Sequence, residues 1–388
     1  MRWRSRCFAA LLVGTTLVAA GCGAQAPVFD HGDYALEPAA ADYDAEPSRV
    51  RGATAESIRI GERLLFVDSV DPDLTKGNGG GVVVGLNGVD DLLSGVQRSA
   101  LLPFDVLAGF GVIGSNGRAD DDPGQKLISI TLLSLPDEEQ AVAAGAAMAA
   151  ADFAANTENA PLALPEHPAA LTHWRPGVRT VGSWLVWKTL VIRVFAVVAE
   201  PDPAVMIDLL TRTYRGQLNE LDTFVPTPAA ELANLALDRD ELLPRLVKTG
   251  DYWPHRWSFA VYGPRAYALL SGQPSVRLRD LEASAISAVA VTRTSFLFRA
   301  PDEDAVRTYA EALTNRLLDR DYSALASTPD LPGVSCHRAA RPDPSSTTAH
   351  QFACVVRHGE FVVLLHSNRE MDVRRQAVAQ YALLGGSW

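Results

Sequence analysis

Positive charge, cysteine and long apolar runs are all scarce in this 388-residue chain, and each scarcity excludes a class of protein. The 35 basic residues stand against 46 acidic ones, a formal net charge of −11, and lysine occurs only at Lys76, Lys126, Lys188 and Lys248. A balance of that sign repels phosphate backbones, so nucleic acid is excluded as a partner. Past the first two dozen residues, no apolar run approaches the ~20 residues that span a bilayer core, so the remaining chain does not cross a membrane. No histidine pair has the i, i+4 spacing of a helical zinc site, and no second cysteine pair supports a structural metal.

The chain also lacks a recognisable catalytic set. There is no G-x-S-x-G nucleophile elbow. Gly109, Gly111 and Gly114 fit G-x-G-x-x-G, but turn residues follow where a dinucleotide site needs a helix. Gly77 to Gly81 lack the Lys-Ser/Thr of a phosphate loop and read as a flexible loop. Asp120, Asp121 and Asp122 lack the alternating spacing of a calcium loop and read as a solvated turn. No cofactor is expected, and the chain reads as a non-enzyme.

What is present begins at the amino terminus. Arg2, Arg4 and Arg6 precede an apolar run at 8–18, which ends in Ala19-Ala20-Gly21-Cys22. A basic start, a short apolar stretch and small residues before a cut site make a bacterial export signal, 1–21. A Cys directly after the small residues makes it a lipoprotein signal, with Cys22 acylated as the first mature residue. Without the three leader arginines the formal charge becomes −14, so acyl chains rather than electrostatics must hold the protein at the extracytoplasmic face of the membrane. Cys7 leaves with the leader. Cys336 and Cys354 remain, and an even pair in an exported chain reads as a disulfide. Closing a loop of that length contributes roughly 3 kcal/mol in the chain-entropy model.

Residues 22–52 carry many acids among Ala and Pro and read as a flexible tether. After it, one unit occurs twice. Leu133-Ser134-Leu135-Pro136-Asp137-Glu138 and Phe298-Arg299-Ala300-Pro301-Asp302-Glu303 each follow a strand-like run, 127–133 and 288–298, and each opens a helix. Val142, Ala146, Ala149 and Phe153 form an apolar stripe in the first helix, as Val306, Ala310, Leu313 and Leu317 do in the second. Pro-Gly-Val follows each, at 176–178 and 332–334. Paired strands follow at 181–187 and 189–198, then at 352–356 and 360–366, and each half ends in a helix, 202–221 and 371–384. Residues 55–70 and 231–248 read as helices leading into each unit. The expected fold is α+β: two similar domains, 53–225 and 226–388, each an antiparallel sheet covered by helices on one side.

The lipobox, acidic tether, duplicated unit and the ending Arg374-Arg375-Gln376-Ala377-Val378-Ala379-Gln380-Tyr381 resemble a family of uncharacterised cell-envelope lipoproteins of actinobacteria, common in mycolic-acid bacteria. The resemblance implies location and architecture and carries no active-site residue. The remaining candidates are aromatic. Trp184 and Trp187 differ by an odd number, so a strand sends them to opposite faces. Trp253 and Trp257 lie in a loop-like stretch, where exposed rings would suit an envelope glycan, a lipid or a protein partner. The leading expectation is a binding or scaffold module. A carrier of apolar molecules and an envelope hydrolase with a noncanonical site are the alternatives. Mass spectrometry of the mature amino terminus is expected to find a diacylglyceryl-modified Cys22; an unmodified chain retaining its leader would remove the anchor.

Overall fold

A computed structural model of the chain describes residues 29–40, 43–249, 259–326, 331–341 and 351–386. The first domain runs α1 (Arg49–Gly61), β1 (Lys76–Val84), α2 (Gly95–Leu101), β2 (Ala108–Ser115), β3 (Leu127–Ser134) and α3 (Glu138–Ala154). It continues through β4 (Ala160–Pro161), β5 (Leu171–Trp174), β6 (Thr180–Trp187), β7 (Leu190–Val197) and α4 (Pro203–Leu221). The second has β8 (Ala260–Tyr262), α5 (Pro264–Leu269), α6 (Pro274–Ala283), β9 (Ala288–Val291), β10 (Ser295–Arg299) and α7 (Glu303–Asp319). It ends with β11 (Tyr322–Ala324), β12 (Val334–Ala339), β13 (Phe352–His358), β14 (Phe361–Ser367) and α8 (Glu370–Leu383).

The sheets are β1-β2-β3-β7-β6-β5-β4 and β8-β9-β10-β14-β13-β12-β11, antiparallel throughout, and their strand orders are identical. The repeated Pro-Asp-Glu opens α3 and α7 alike. Asp137 accepts a hydrogen bond from Gln140 N and Asp302 from Ala305 N, each an N-cap three residues ahead of its donor. The α+β architecture of two similar domains is therefore present.

Several details differ from the sequence expectation. Helices cover both faces of each sheet, not one, because both parities of the inner strands are apolar. In the first sheet Ile128, Ile130 and Leu132 face the α4 side, while Leu133, Trp184 and Val191 face α2 and α3. In the second sheet Val289, Phe298 and Val355 face α7, while Ala290, Leu297 and Cys354 face α8. The run 288–298 is a hairpin of β9 and β10, broken at 292–294. The glycine-rich 77–81 stretch lies within β1: a Cβ on Gly77 would sit 2.2 Å from the Ser271 carbonyl of the second domain, so the strand needs glycine there. The run 109–114 is β2 itself. Two short 3-10 turns, Leu232–Asn234 and Leu243–Arg245, replace the helix expected at 231–248, and the helix expected at 55–70 is α1, which ends at Gly61.

The α3 stripe is displaced by one residue. Val142, Ala146 and Phe153 are exposed, Ala149 is buried as expected, and Ala141, Ala144, Gly145 and Met148 are buried beside it. Counted from the repeated proline, Ala141 rather than Val142 matches Val306. The α7 stripe is buried as expected. The Pro-Gly-Val match is not structural, since Pro176 follows β5 whereas Pro332 precedes β12.

The described part of the expected tether is docked. Phe29, Tyr34, Leu36 and Tyr43 pack against the core on the α8 side. Tyr34 donates to Asp372 at 2.7 Å and Arg375 pairs with Asp30 at 2.9 Å. Apolar rings spaced among the acids supply the buried area that a flexible segment would lack. Beyond α4, the chain stays with the first domain through Leu232–Asn234, where Ser48 N donates to Ala233 O. Leu242 to Val247 belong to the α8-side core.

Cys336 and Cys354 are disulfide-bonded and directly paired across β12 and β13, with Cα atoms 4.1 Å apart. In the first domain, the ladder Leu132, Ile192, Leu185 corresponds to Leu297, Val363, Val356 in the second, both starting four residues before the repeated proline. That register places Thr172 and Ser183, paired across β5 and β6, where the cystine stands. Their hydroxyls are 2.5 Å apart, and Tyr214 of α4 donates to Ser183 at 2.7 Å. Replacing the cystine by its counterpart, Cys336→Thr with Cys354→Ser, is expected to leave a folded protein. It should be destabilised by about 2 kcal/mol, a loop-closure loss of about 3 offset by a hydrogen bond of about 1, read from the urea midpoint.

Candidate functional site

The same register pairs Trp184 of β6 with Val355 of β13, and His173 of β5 with His337 of β12. These positions lie under α3 in the first domain and under α7 in the second. The two domains fill that space differently.

Under α3 the space is packed. The Trp184 indole is buried and stacks on His173, with centroids 5.3 Å apart and planes at 17°. It lies flat across Gly182, where any Cβ would meet the ring at 2.9 Å. Phe153 closes over His173 edge-on. His173 Nε2 contacts Asp152 Oδ2 at 3.1 Å, and Gln97 Nε2 and the Ser94 hydroxyl donate to Oδ1 at 2.7 and 3.2 Å. Burial pushes the Asp152 carboxyl up, but these hydrogen bonds outweigh it and hold it below the usual carboxylate range. Ser94 and His173 meet the carboxylate separately. The hydroxyl is not bonded to the imidazole, so the trio is not arranged as a nucleophile and its base. Beside it, Arg193 is buried with no carboxylate in hydrogen-bond contact among the described residues, donating to Leu92 O at 2.9 Å. Desolvation lowers its pKa to about 10.

Under α7 the space is open. Val355 replaces the indole, and a groove of about 580 Å³ remains between the helix and the β12–β13 edge. On the α7 side it is lined by Arg307, Ala310, Glu311, Thr314 and Asn315, and on the strand side by Ser335, Val355 and Arg357. Ser335 and Val355 are cross-strand partners, and the next pair, on the opposite face, is the cystine. The disulfide therefore staples the two strands that floor the groove. Arg307 is neutralised by Asp304 at 2.5 Å. His337, the counterpart of His173, faces the α7 side, where Leu317 takes the place of Asp152. Its Nδ1 is buried without a hydrogen-bond partner among the described residues, and burial lowers its pKa.

A second, more apolar pocket of about 360 Å³ lies beneath α4. Leu127, Ile128, Val197, Val205 and Leu209 wall it, and Lys126, held by Asp71 at 3.1 Å and Asp73 at 2.7 Å, stands at its rim.

Of the residues singled out in the sequence, Cys336 and Cys354 support the groove, while Cys22, Trp253 and Trp257 lie outside the described residues. Trp184 is core, and Trp187 is half-buried. Among the described residues no group of three or more His, Cys, Asp or Glu is placed to hold a metal. The sequence reading missed the groove because α7 reads only as an amphipathic helix. The available signal was the Trp-to-Val difference between the two copies.

Two models of a domain of unknown function, DUF7373, match the sequence, the N-terminal part over residues 43–237 and the C-terminal part over 242–387. No curated protein matches it. A solved structure similar to it is the extracellular domain of PknH from Mycobacterium tuberculosis, at 13% identity and a TM-score of 0.30, covering 42% of this chain and 96% of that one. That TM-score is too low to imply a shared fold.

The Asp152 cluster generates a pH prediction. A carboxyl lowered on folding contributes stability above its unfolded pKa, about 4, and loses it as pH falls through the lowered folded value. Asp152→Asn is expected to flatten that acid-side loss and to cost about 1–3 kcal/mol at pH 7, measured by urea unfolding across pH.

Proposed function

The chain belongs to the DUF7373 family, and on that premise we propose that it is a non-enzymatic binding module held by lipid on Cys22 at the extracytoplasmic face of the membrane. The observation that carries the binding reading is the groove beneath α7, open where the first copy of the domain is filled by Trp184. Its volume falls within the ~300–1,000 Å³ of small-molecule sites, and its lining mixes apolar wall with convergent polar groups. The cystine supports an oxidising compartment. No helix among the described residues is long and apolar enough to cross a membrane, in keeping with anchoring by lipid.

Docking of the amino-terminal segment bears on orientation. Six residues lie between Cys22 and Phe29, so the seven steps from one to the other reach at most about 25 Å at about 3.5 Å per residue. An acylated Cys22 would therefore hold the α8 side of the second domain close to the bilayer. The hydrolase reading draws no support from the His173–Asp152 pair, whose imidazole lacks a bonded hydroxyl nucleophile. The carrier reading draws support from the apolar pocket beneath α4, whose walls suit a short hydrocarbon group.

Native mass spectrometry of protein from its own host is expected to show a retained small molecule. Val355→Trp copies the first domain's way of filling this space and is expected to release the molecule while leaving the fold intact. Retention by that variant would remove the groove as the site. Retention by Val355→Trp, with loss on Leu209→Trp beneath α4, would favour the carrier.

A further inference from the structure

Resting on the binding reading, we propose that the α7 groove takes a small zwitterion, an amino acid or short peptide with free ends, its carboxylate on Arg357 and its ammonium on Glu311. Both side chains line the groove and carry opposite charge. Neither pairs with the other, and neither has an ion-pair or side-chain hydrogen-bond partner among the described residues, whereas Arg307 beside them is satisfied by Asp304. What the groove leaves open is therefore one cation and one anion. An anion alone would pair with Arg357 but meet the Glu311 carboxylate, and a cation alone would meet the opposite mismatch. A molecule bearing both charges satisfies both.

The remaining lining fits the middle of such a ligand. A guanidinium offers two parallel donors to a carboxylate, and an ammonium is a compact donor for a carboxylate partner. Asn315 and Ser335 also lack side-chain partners among the described residues and supply donors and acceptors for a peptide group. Ala310 and Val355 leave room for small apolar side chains. Among the described residues no aromatic side chain lines the groove as a platform for a sugar ring, which separates this ligand class from a neutral glycan.

The test is isothermal titration of the mature protein with L-alanyl-L-alanine, its N-acetyl derivative and its C-terminal amide. The dipeptide is expected to bind, and each singly blocked form to bind at least roughly tenfold more weakly. Glu311→Gln is expected to remove the penalty for the acetylated form and keep that for the amide. Arg357→Gln is expected to do the reverse. Both positions are solvent-accessible, and thermal melts matching the parent protein confirm that the fold is retained. Equal binding of the three compounds, or no binding of the dipeptide, would overturn the zwitterion assignment. If Val355→Trp still releases the native ligand in that event, the groove remains a binding site and only the ligand class falls. If Val355→Trp retains the ligand, the groove itself is excluded.

Discussion

One apolar core shared by both sheets sets the arrangement of the rest. The α4 side of the first sheet and the α7 side of the second contribute to a single buried cluster, from Ile58 and Phe110 to Phe298 and Tyr309. The copies therefore meet through non-equivalent faces, back to front rather than about a two-fold axis. Glu62, just past α1, completes the junction. Its carboxylate accepts from Ala266 N at 2.7 Å in the first turn of α5, and Arg265 returns a bond to Glu62 O and pairs with Glu220 at 3.0 Å. Burial raises the Glu62 carboxyl above its ordinary range despite those bonds, so the domain contact is bought with desolvation. Gly77 in β1 permits the backbone of the second domain to come within van der Waals distance.

Duplication followed by divergence explains the contrasts between the halves. At one ladder position, the first domain joins two strands with Thr172 and Ser183 hydroxyls and the second with Cys336 and Cys354. The hydroxyl pair is anchored from α4 by Tyr214, which donates to Ser183. The cystine joins β12 to β13 one residue along from Ser335 and Val355, on the face opposite the groove. A covalent link suits the strand pair that must keep its spacing while one face is left unfilled.

That unfilled face is the other contrast. Trp184, His173 and Asp152 close the space under α3 with ring stacking and a shared carboxylate, and α3 meets the sheet with alanine and glycine. Under α7 the equivalents are Val355, His337 and Leu317, and the helix buries larger residues but leaves a channel along its Arg307, Glu311 and Asn315 edge. The carboxylate of Asp152 in one copy thus has an apolar counterpart, Leu317, in the other, whose charges stand at the groove rim.

The leader, the acidic balance, the cysteine pair and the repeated Pro-Asp-Glu phrase were local features, and local chemistry was enough to read them. They determined the expectation of export, the cystine and two similar α+β units, and the last two are present in the structure. Strand pairing was not local. The strand identity of the glycine runs and the one-residue shift of the α3 stripe depend on partners more than a dozen residues away, whereas the hairpin within 288–298 depends on the turn at 292–294. Docking of Phe29 and Tyr34 onto the α8 side depends on residues over 300 positions downstream. The groove belongs to the same class, because Arg307, Ser335 and Arg357 acquire a common surface only when α7 is laid across β12 and β13. The sequence by itself determined the cysteine pair and the two similar α+β units, because both rest on local residue chemistry. Only the tertiary structure decided which buried space stays empty, because a cavity is set by the size of side chains meeting from separate elements, here a valine where the other copy has a tryptophan.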